Sequence, residues 1–199
     1  MTDKPLNAVR CLPNFHKSTQ TSHLPLDGQD IQISLPVRGD VLETAMDAAT
    51  SAYESQLGSL GINIHFTKIN TVCVPSNNHC IEIHIQTPPN LPTACAQTSA
   101  YAGADGNLNQ HATIYVWPGY NNNPPITPDY LKSIVGHELG HLFNLDDHDP
   151  QCADGSIMNV LPSTTCNGDM SGLSSTPQPS DVLPVAKSTY GTTPKKMCG

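Results

Sequence analysis

Two histidines four residues apart, with a glutamate directly after the first, make His137-Glu138-Leu139-Gly140-His141 the segment of this 199-residue chain best equipped for chemistry. On a helix, four residues advance about 400°, so the two imidazoles stand one turn apart on one face. That spacing lets both rings bind one zinc ion and holds Glu138 beside the metal's open position. A chain with nine histidines can hold such a pair by chance, so the residues that follow carry weight. Asp147, ten residues after His137, can supply a third ligand only if the helix stops soon after His141. Continued as helix, Asp147 would lie roughly 240° round from His141 and face away from the metal. Asn144 offers the stop, because asparagine is the commonest residue after glycine to adopt the left-handed conformation that ends helices.

Zinc held by three protein ligands keeps a position for water and lowers that water's pKa to about 7. His137 and His141 are the expected imidazole ligands, with Asp147 a candidate for the third. An anionic Asp147 offsets more of the zinc charge than a neutral imidazole, leaving the water slightly less acidic than three histidines would. Glu138 is expected to accept the water's proton, aid attack on a scissile carbonyl, and pass a proton to the leaving amine. The plainer alternative is a closed zinc site without turnover, which would have no use for Glu138 because it is not a ligand.

This arrangement resembles the metzincin family of zinc endopeptidases, whose signature is HExxHxxGxxH or HExxHxxGxxD followed by a Met-turn. Within the family, the run Asp147-His148 is most similar to the snapalysin type, where Asp replaces the third His. Asn144 stands where the family usually has Gly. The resemblance implies that Asp147 rather than His148 completes the ligand set, with His148 a supporting or surface residue and Asp146 a solvated turn residue. It also implies a Met-turn in Gly155-Ser156-Ile157-Met158-Asn159, placing Met158 beneath the metal as a hydrophobic floor; ordinary core packing is the bland role for Met158. The similarity runs from Thr127 to Cys166 and is only topological before that. The implied fold is α+β or α/β: a twisted, mostly parallel sheet with an antiparallel edge strand lining the cleft, a long active-site helix, the Met-turn and a C-terminal helix. The edge strand is expected at Ala112-Thr113-Ile114-Tyr115-Val116-Trp117, to which an extended peptide substrate could add by backbone hydrogen bonding.

The elements that must position these residues are partly written in the chain. Ile31 to Val37 alternates at period two and reads as a strand. Asp40 opens a helix, with Glu43 closing a capping box and Leu42, Met46, Ala49 and Tyr53 forming its buried stripe. Gly58 and Gly61 end it. Two strands follow, Ile62 to Ile69 and Cys80 to Gln86. Thr127-Pro128-Asp129 starts the helix that carries His137 and His141: a hydroxyl cap, a proline in the first turn, then an acid near the positive dipole end. Ser180-Asp181 caps a final helix ending near Tyr190-Gly191. The whole is expected to form a single domain over 1–199, with an irregular arm at 1–29, an upper lobe at 30–143 and a lower lobe at 144–199 that holds the Met-turn.

Several other clusters have plainer readings. His65, His79 and His84 tempt a second metal site, but no tight ligand spacing joins them and solvent-facing strand positions suffice. Asp105-Gly106-Asn107-Leu108-Asn109 has oxygen donors at alternate positions, as calcium (Ca2+) loops do, yet lacks a later bidentate Glu, so a plain turn is the reading. Val9-Arg10-Cys11-Leu12-Pro13-Asn14 is faintly similar to the cysteine switch of matrix metalloproteinase propeptides, with one residue fewer. A Cys11–Cys198 disulfide, or a bystander thiol, is the plainer role.

Bulk properties bound the function. Only 13% of residues are charged, and 18 prolines and 14 glycines make a loop-rich globular chain rather than a highly charged disordered one. A net charge of −8 without a basic cluster argues against nucleic acid and anionic membrane surfaces as partners. No apolar run approaches the roughly 20 residues of a membrane span. Seven cysteines suit an oxidising compartment. Cys152 and Cys166 bracket the Met-turn, and closing a loop of that size contributes about 3 kcal/mol in the chain-entropy model; Cys73 with Cys80 is a further candidate pair. Thiol ligation of metal has no CxxC pair to support it. Met1-Thr2-Asp3-Lys4-Pro5 lacks the apolar core of a signal peptide, so the expectation is a secreted protein whose signal lies outside this chain or whose route is unusual. The sequence therefore predicts a secreted, monomeric zinc (Zn2+) endopeptidase acting on protein or peptide substrates. Its rival is a catalytically idle, zinc-stabilised binding module using the same cleft.

Overall fold

Strand β1 (Asp30–Ser34) buries Ile31 and Ile33 and leaves Gln32 half-exposed, the alternation expected of it. It ends before the anticipated Val37, and Pro36, which has no N–H to give a ladder, accounts for the early stop. The computed structural model describes residues 30–36, 39–90, 95–100, 110–121, 126–143, 145, 156–158, 174, 176–179, 181–182 and 185.

Helix α1 (Val41–Ser59) begins as the sequence predicts: the Asp40 carboxylate accepts from the Glu43 N–H at 3.0 Å, and Glu43 reaches back to the Gly39 N–H at 2.6 Å. Its end is a Schellman motif. Gly61 takes φ +81° and donates to the Gly58 carbonyl, while Ile62 N–H closes onto Leu57 O at 3.0 Å. Ile62 is thus spent on the helix end, and strand β2 starts only at His65 (His65–Ile69) rather than at Ile62.

Strands β3 (Cys80–Ile85), β4 (Ala96–Ser99) and β5 (Ala112–Val116) complete a five-stranded sheet of order β2-β1-β3-β5-β4. The β1/β2, β1/β3 and β3/β5 pairs are parallel; β4 runs antiparallel to β5. The class is the expected α+β, a mostly parallel sheet with an antiparallel edge. The identity of that edge is corrected. Ala112, Thr113, Ile114, Tyr115 and Val116 form an interior strand with β3 on one side and β4 on the other, so their backbone groups are already paired. The antiparallel edge is β4.

The two edges differ. On β2, the Phe66 N–H is taken by the Glu54 carboxylate at 2.6 Å, and Lys68 bridges to Glu43 and Asp47, so α1 side chains cover that flank. On β4, among the described residues no strand pairs with the outer side.

Helix α2 (Pro128–Leu142) is capped by the Thr127 hydroxyl with Pro128 in its first turn. Ile31, Ile33, Ile81, Ile83, Ile114 and Val116 form one core with the buried faces of α1 and α2. Met158, Val182 and Val185 join the same core. A disulfide joins Cys73 to Cys80 with Cα atoms 5.8 Å apart, tying the loop before β3 to its first residue. Cys95 is also disulfide-bonded. Cys11, Cys152, Cys166 and Cys198 lie outside the described residues.

Candidate active site

The site is built where α2 is most deeply packed yet keeps one face turned outward. Gly136, Glu138, Leu139, Gly140 and Leu142 are buried, whereas His137 and His141 are only partly so. Two glycines one turn apart allow the close fit behind them. A Cβ on Gly136 would press on the Ile157 side chain, and one on Gly140 would collide with the Met158 sulfur and stand 2.9 Å from the Tyr53 hydroxyl. Met158 is therefore packed against the turn of helix between the two histidines, fully buried.

The imidazoles meet edge to face with ring centroids 4.7 Å apart. His137 Nδ1 lies 3.1 Å from the Ile157 carbonyl, and His141 Nδ1 lies 2.9 Å from the Leu145 carbonyl. A carbonyl oxygen only accepts, so Nδ1 carries a proton in both rings, and in the neutral imidazole the lone pair is then on Nε2. That is the tautomer a metal-ligating histidine needs, with its orientation fixed by a backbone acceptor. The donor set thus fits a zinc ion on its two imidazoles.

The helix ends soon after His141, as the sequence predicts. Phe143 is the cap, and Leu145 N–H returns to the Gly140 carbonyl at 3.0 Å, the longer bond of a Schellman-type ending. Leu145 thus closes the helix with its N–H and holds His141 with its carbonyl. Asn144, Asp146, Asp147 and His148 lie outside the described residues, as do Gly155, Asn159 and the 105–109 segment. Among the described residues no group of three or more His, Cys, Asp or Glu side chains could hold a metal.

Thr98, which sequence reasoning missed, and Asp181, read from the sequence only as a helix cap, organise the surroundings. Thr98, on β4, donates its hydroxyl to Glu138 Oε2 at 2.6 Å and also lies 3.0 Å from the Glu138 carbonyl oxygen. Asp181 is fully buried, and its carboxylate accepts from the Ser156 hydroxyl at 2.5 Å, the Ile157 N–H at 3.2 Å and the Gln178 N–H at 2.6 Å. It was expected, with Ser180, to cap the last helix. Pro179 is already helical, and Val182 N–H bonds to Gln178 O, so Gln178 is the cap and Asp181 the acid three residues in. The same carboxylate spans the gap to the 156–158 turn, whose Ile157 carbonyl then orients His137.

Tyr53 links α1 to this assembly, donating its hydroxyl to the Gly136 carbonyl at 2.9 Å and packing on Phe143 with centroids 5.0 Å apart. Burial, and secondarily the negative charge of Asp181, push its phenol well above the ordinary value of 10.0.

Among the described residues the other histidines do not assemble a second centre. His65 pairs with Glu54 at 3.1 Å, and His84 with Glu82 at 3.2 Å, on strands separated by β1; His79 precedes β3. His111 meets the second Glu82 oxygen at 3.3 Å, making a His–Glu–His group on the sheet face that carries Tyr115.

No family model matches the chain, and no curated protein matches it. Among the solved structures similar to it are two at 12% identity. One, titled "Structure of myroilysin", has a TM-score of 0.46 and covers 85% of this chain and 96% of that one. The other, titled "Crystal structure of myroilysin", has a TM-score of 0.34 and covers 98% and 80%. The functional reading rests on the geometry of the chain's own residues.

Proposed function

We propose that the chain is a zinc-dependent endopeptidase hydrolysing internal peptide bonds of proteins. One observation carries the reading. His137 and His141 share a helix face with both Nδ1 atoms engaged by backbone carbonyls, and buried Glu138 sits between them without being needed as a ligand. A structural zinc site has no use for an ordered carboxylate beside its imidazoles. A hydrolase does.

His137 and His141, with Asp147 as third ligand, would hold the zinc, and Met158 would lie beneath it. When bound, zinc supplies an acidified water and a Lewis acid for the scissile carbonyl. Glu138 takes the proton released as the attacking oxygen adds to the carbonyl, and delivers a proton to the leaving amine nitrogen as the C–N bond breaks. The substrate segment would lie extended along the outer edge of β4, which takes the role first expected of Ala112 to Val116. An extended chain there gains backbone hydrogen bonds without a specific side-chain requirement, which suits internal bonds of varied sequence.

The Cys73–Cys80 disulfide supports an oxidising, extracellular setting. Among the described residues no helix is long and apolar enough to cross a membrane. The test is digestion of casein by the zinc-loaded protein, with a chelator and zinc add-back, and mass-spectrometric mapping of the cuts. Internal cleavages that stop with chelator and return with zinc support the reading; cuts confined to chain ends, or insensitive to chelator, contradict it.

A further inference from the structure

Thr98 stands where the proposed base and the outer edge of β4 meet. Trp117 N–H donates to Cys95 O at 2.9 Å, making Cys95 and Trp117 a hydrogen-bonded pair across β4 and β5. Antiparallel ladders alternate between bonded and non-bonded pairs. Carrying that alternation along the register Ala96↔Val116, Gln97↔Tyr115, Thr98↔Ile114 places Thr98 at a non-bonded position. Its own N–H and C=O therefore point away from β5, toward the outer edge of the sheet. Its side chain points to α2, where the hydroxyl donates to Glu138 Oε2 at 2.6 Å.

We propose that Thr98 is a positioning residue that fixes the Glu138 carboxylate through Oε2 and sets its distance from a peptide backbone docked on β4. This rests on the peptidase reading. With Oε2 committed to Thr98, Oε1 is the oxygen left to take the proton. A glutamate has three side-chain torsions to freeze, and one short hydrogen bond to its far end removes most of that freedom before substrate arrives. Because the same residue presents its backbone groups at the edge, a peptide paired with Thr98 is placed against Glu138 by a single rigid connection. Positioning of this kind affects turnover more than affinity, since small misplacements of a reacting group are costly.

The test compares Thr98→Val, which keeps the branched shape favoured in strands but has no proton to donate, with Thr98→Ser, which keeps the hydroxyl. In the zinc-loaded full chain with a casein-derived peptide, Thr98→Val should lower kcat roughly 10- to 100-fold, the scale of a lost hydrogen bond to a charged group. KM should stay within about twofold, and Thr98→Ser should recover most of the loss. A second readout needs no turnover. In crystal structures of the same proteins, Glu138 should hold one conformer in the wild type and Thr98→Ser, and several in Thr98→Val. Wild-type kcat in Thr98→Val, equal losses in both variants, or an unchanged single Glu138 conformer in Thr98→Val would each overturn the proposal. A wild type that cleaves nothing would remove the peptidase reading instead, and the conformers would still decide whether Thr98 positions Glu138.

Discussion

Gly58 and Gly140 are both helical glycines, yet alanine should act on them in opposite directions. A Cβ at Gly58 meets nothing within 4 Å, so Gly58→Ala should stabilise by about 0.5–1 kcal/mol through helix propensity alone. At Gly140 the same atom strikes the Met158 sulfur and crowds the Tyr53 hydroxyl. Overpacking of that kind costs about 1–3 kcal/mol and outweighs the propensity gain. Urea midpoints of the two variants decide it; a Gly140→Ala protein as stable as Gly58→Ala would mean that Met158 does not pack against α2 as described. Tyr53 gives a pH prediction at the same scale. Its phenol is held well above 10.0 when folded, so the unfolded chain ionises first. The stabilisation is complete below about pH 10 and is lost as pH rises from there toward the folded value. Lys68, whose ammonium is raised by Asp47 and then Glu43, weakens over the same range, so the comparison is with the variant and not with neutral pH alone. Tyr53→Phe should cost about 0.5–1.5 kcal/mol near neutrality, from the lost bond to Gly136 O, and should show a shallower alkaline decline. Parallel stability curves for the two proteins above about pH 10 would contradict it.

At the scale of elements, legibility followed local pattern. The caps Asp40 and Thr127 and the alternation of β1, β3 and β5 are interactions among near neighbours, and the structure has them where the sequence places them. Strand β4 was illegible because Ala96-Gln97-Thr98-Ser99 has one apolar residue and no alternation. Its pairing comes from β5, not from its own composition. Missing it moved the free edge one strand inward, onto Ala112 to Val116. Asp181 was legible as a helix-start residue and illegible as a bridge, because its partners Ser156 and Ile157 are 25 and 24 residues away. Asp181→Asn tests that bridge. With the amide oxygen kept toward the Ile157 and Gln178 N–H groups, the amide nitrogen faces the Ser156 hydroxyl, whose proton loses its acceptor, and the loss of this charged hydrogen-bond partner costs about 1.5–3 kcal/mol. The turn that orients His137 would loosen too, so zinc affinity should fall about 10- to 100-fold, the usual effect of disturbing a ligand's supporting partner. Competition with a chromogenic chelator measures it. Unchanged zinc affinity in a destabilised Asp181→Asn would show that the turn and His137 are not coupled.

Across the whole molecule, the site gathers Thr98, Glu138, Ile157 and Asp181 from four separate stretches of chain around one helix face. The His137, Glu138 and His141 part was readable in advance, because a four-residue spacing is a local code for one helix face, and the 156–158 turn was expected only through the family resemblance. The rest depends on long-range packing around Gly136 and Gly140. The measurement that bears most directly on the central claim is paired zinc content and peptide hydrolysis in Glu138→Ala and His141→Ala. Glu138→Ala keeps every proposed ligand, so it should retain wild-type zinc by elemental analysis while losing about 10²–10⁴-fold in hydrolysis with the proton carrier gone. His141→Ala should lose both metal and activity. A zinc-loaded wild type that cleaves nothing across a broad peptide library, or a Glu138→Ala protein that hydrolyses peptides at the wild-type rate, would contradict the account.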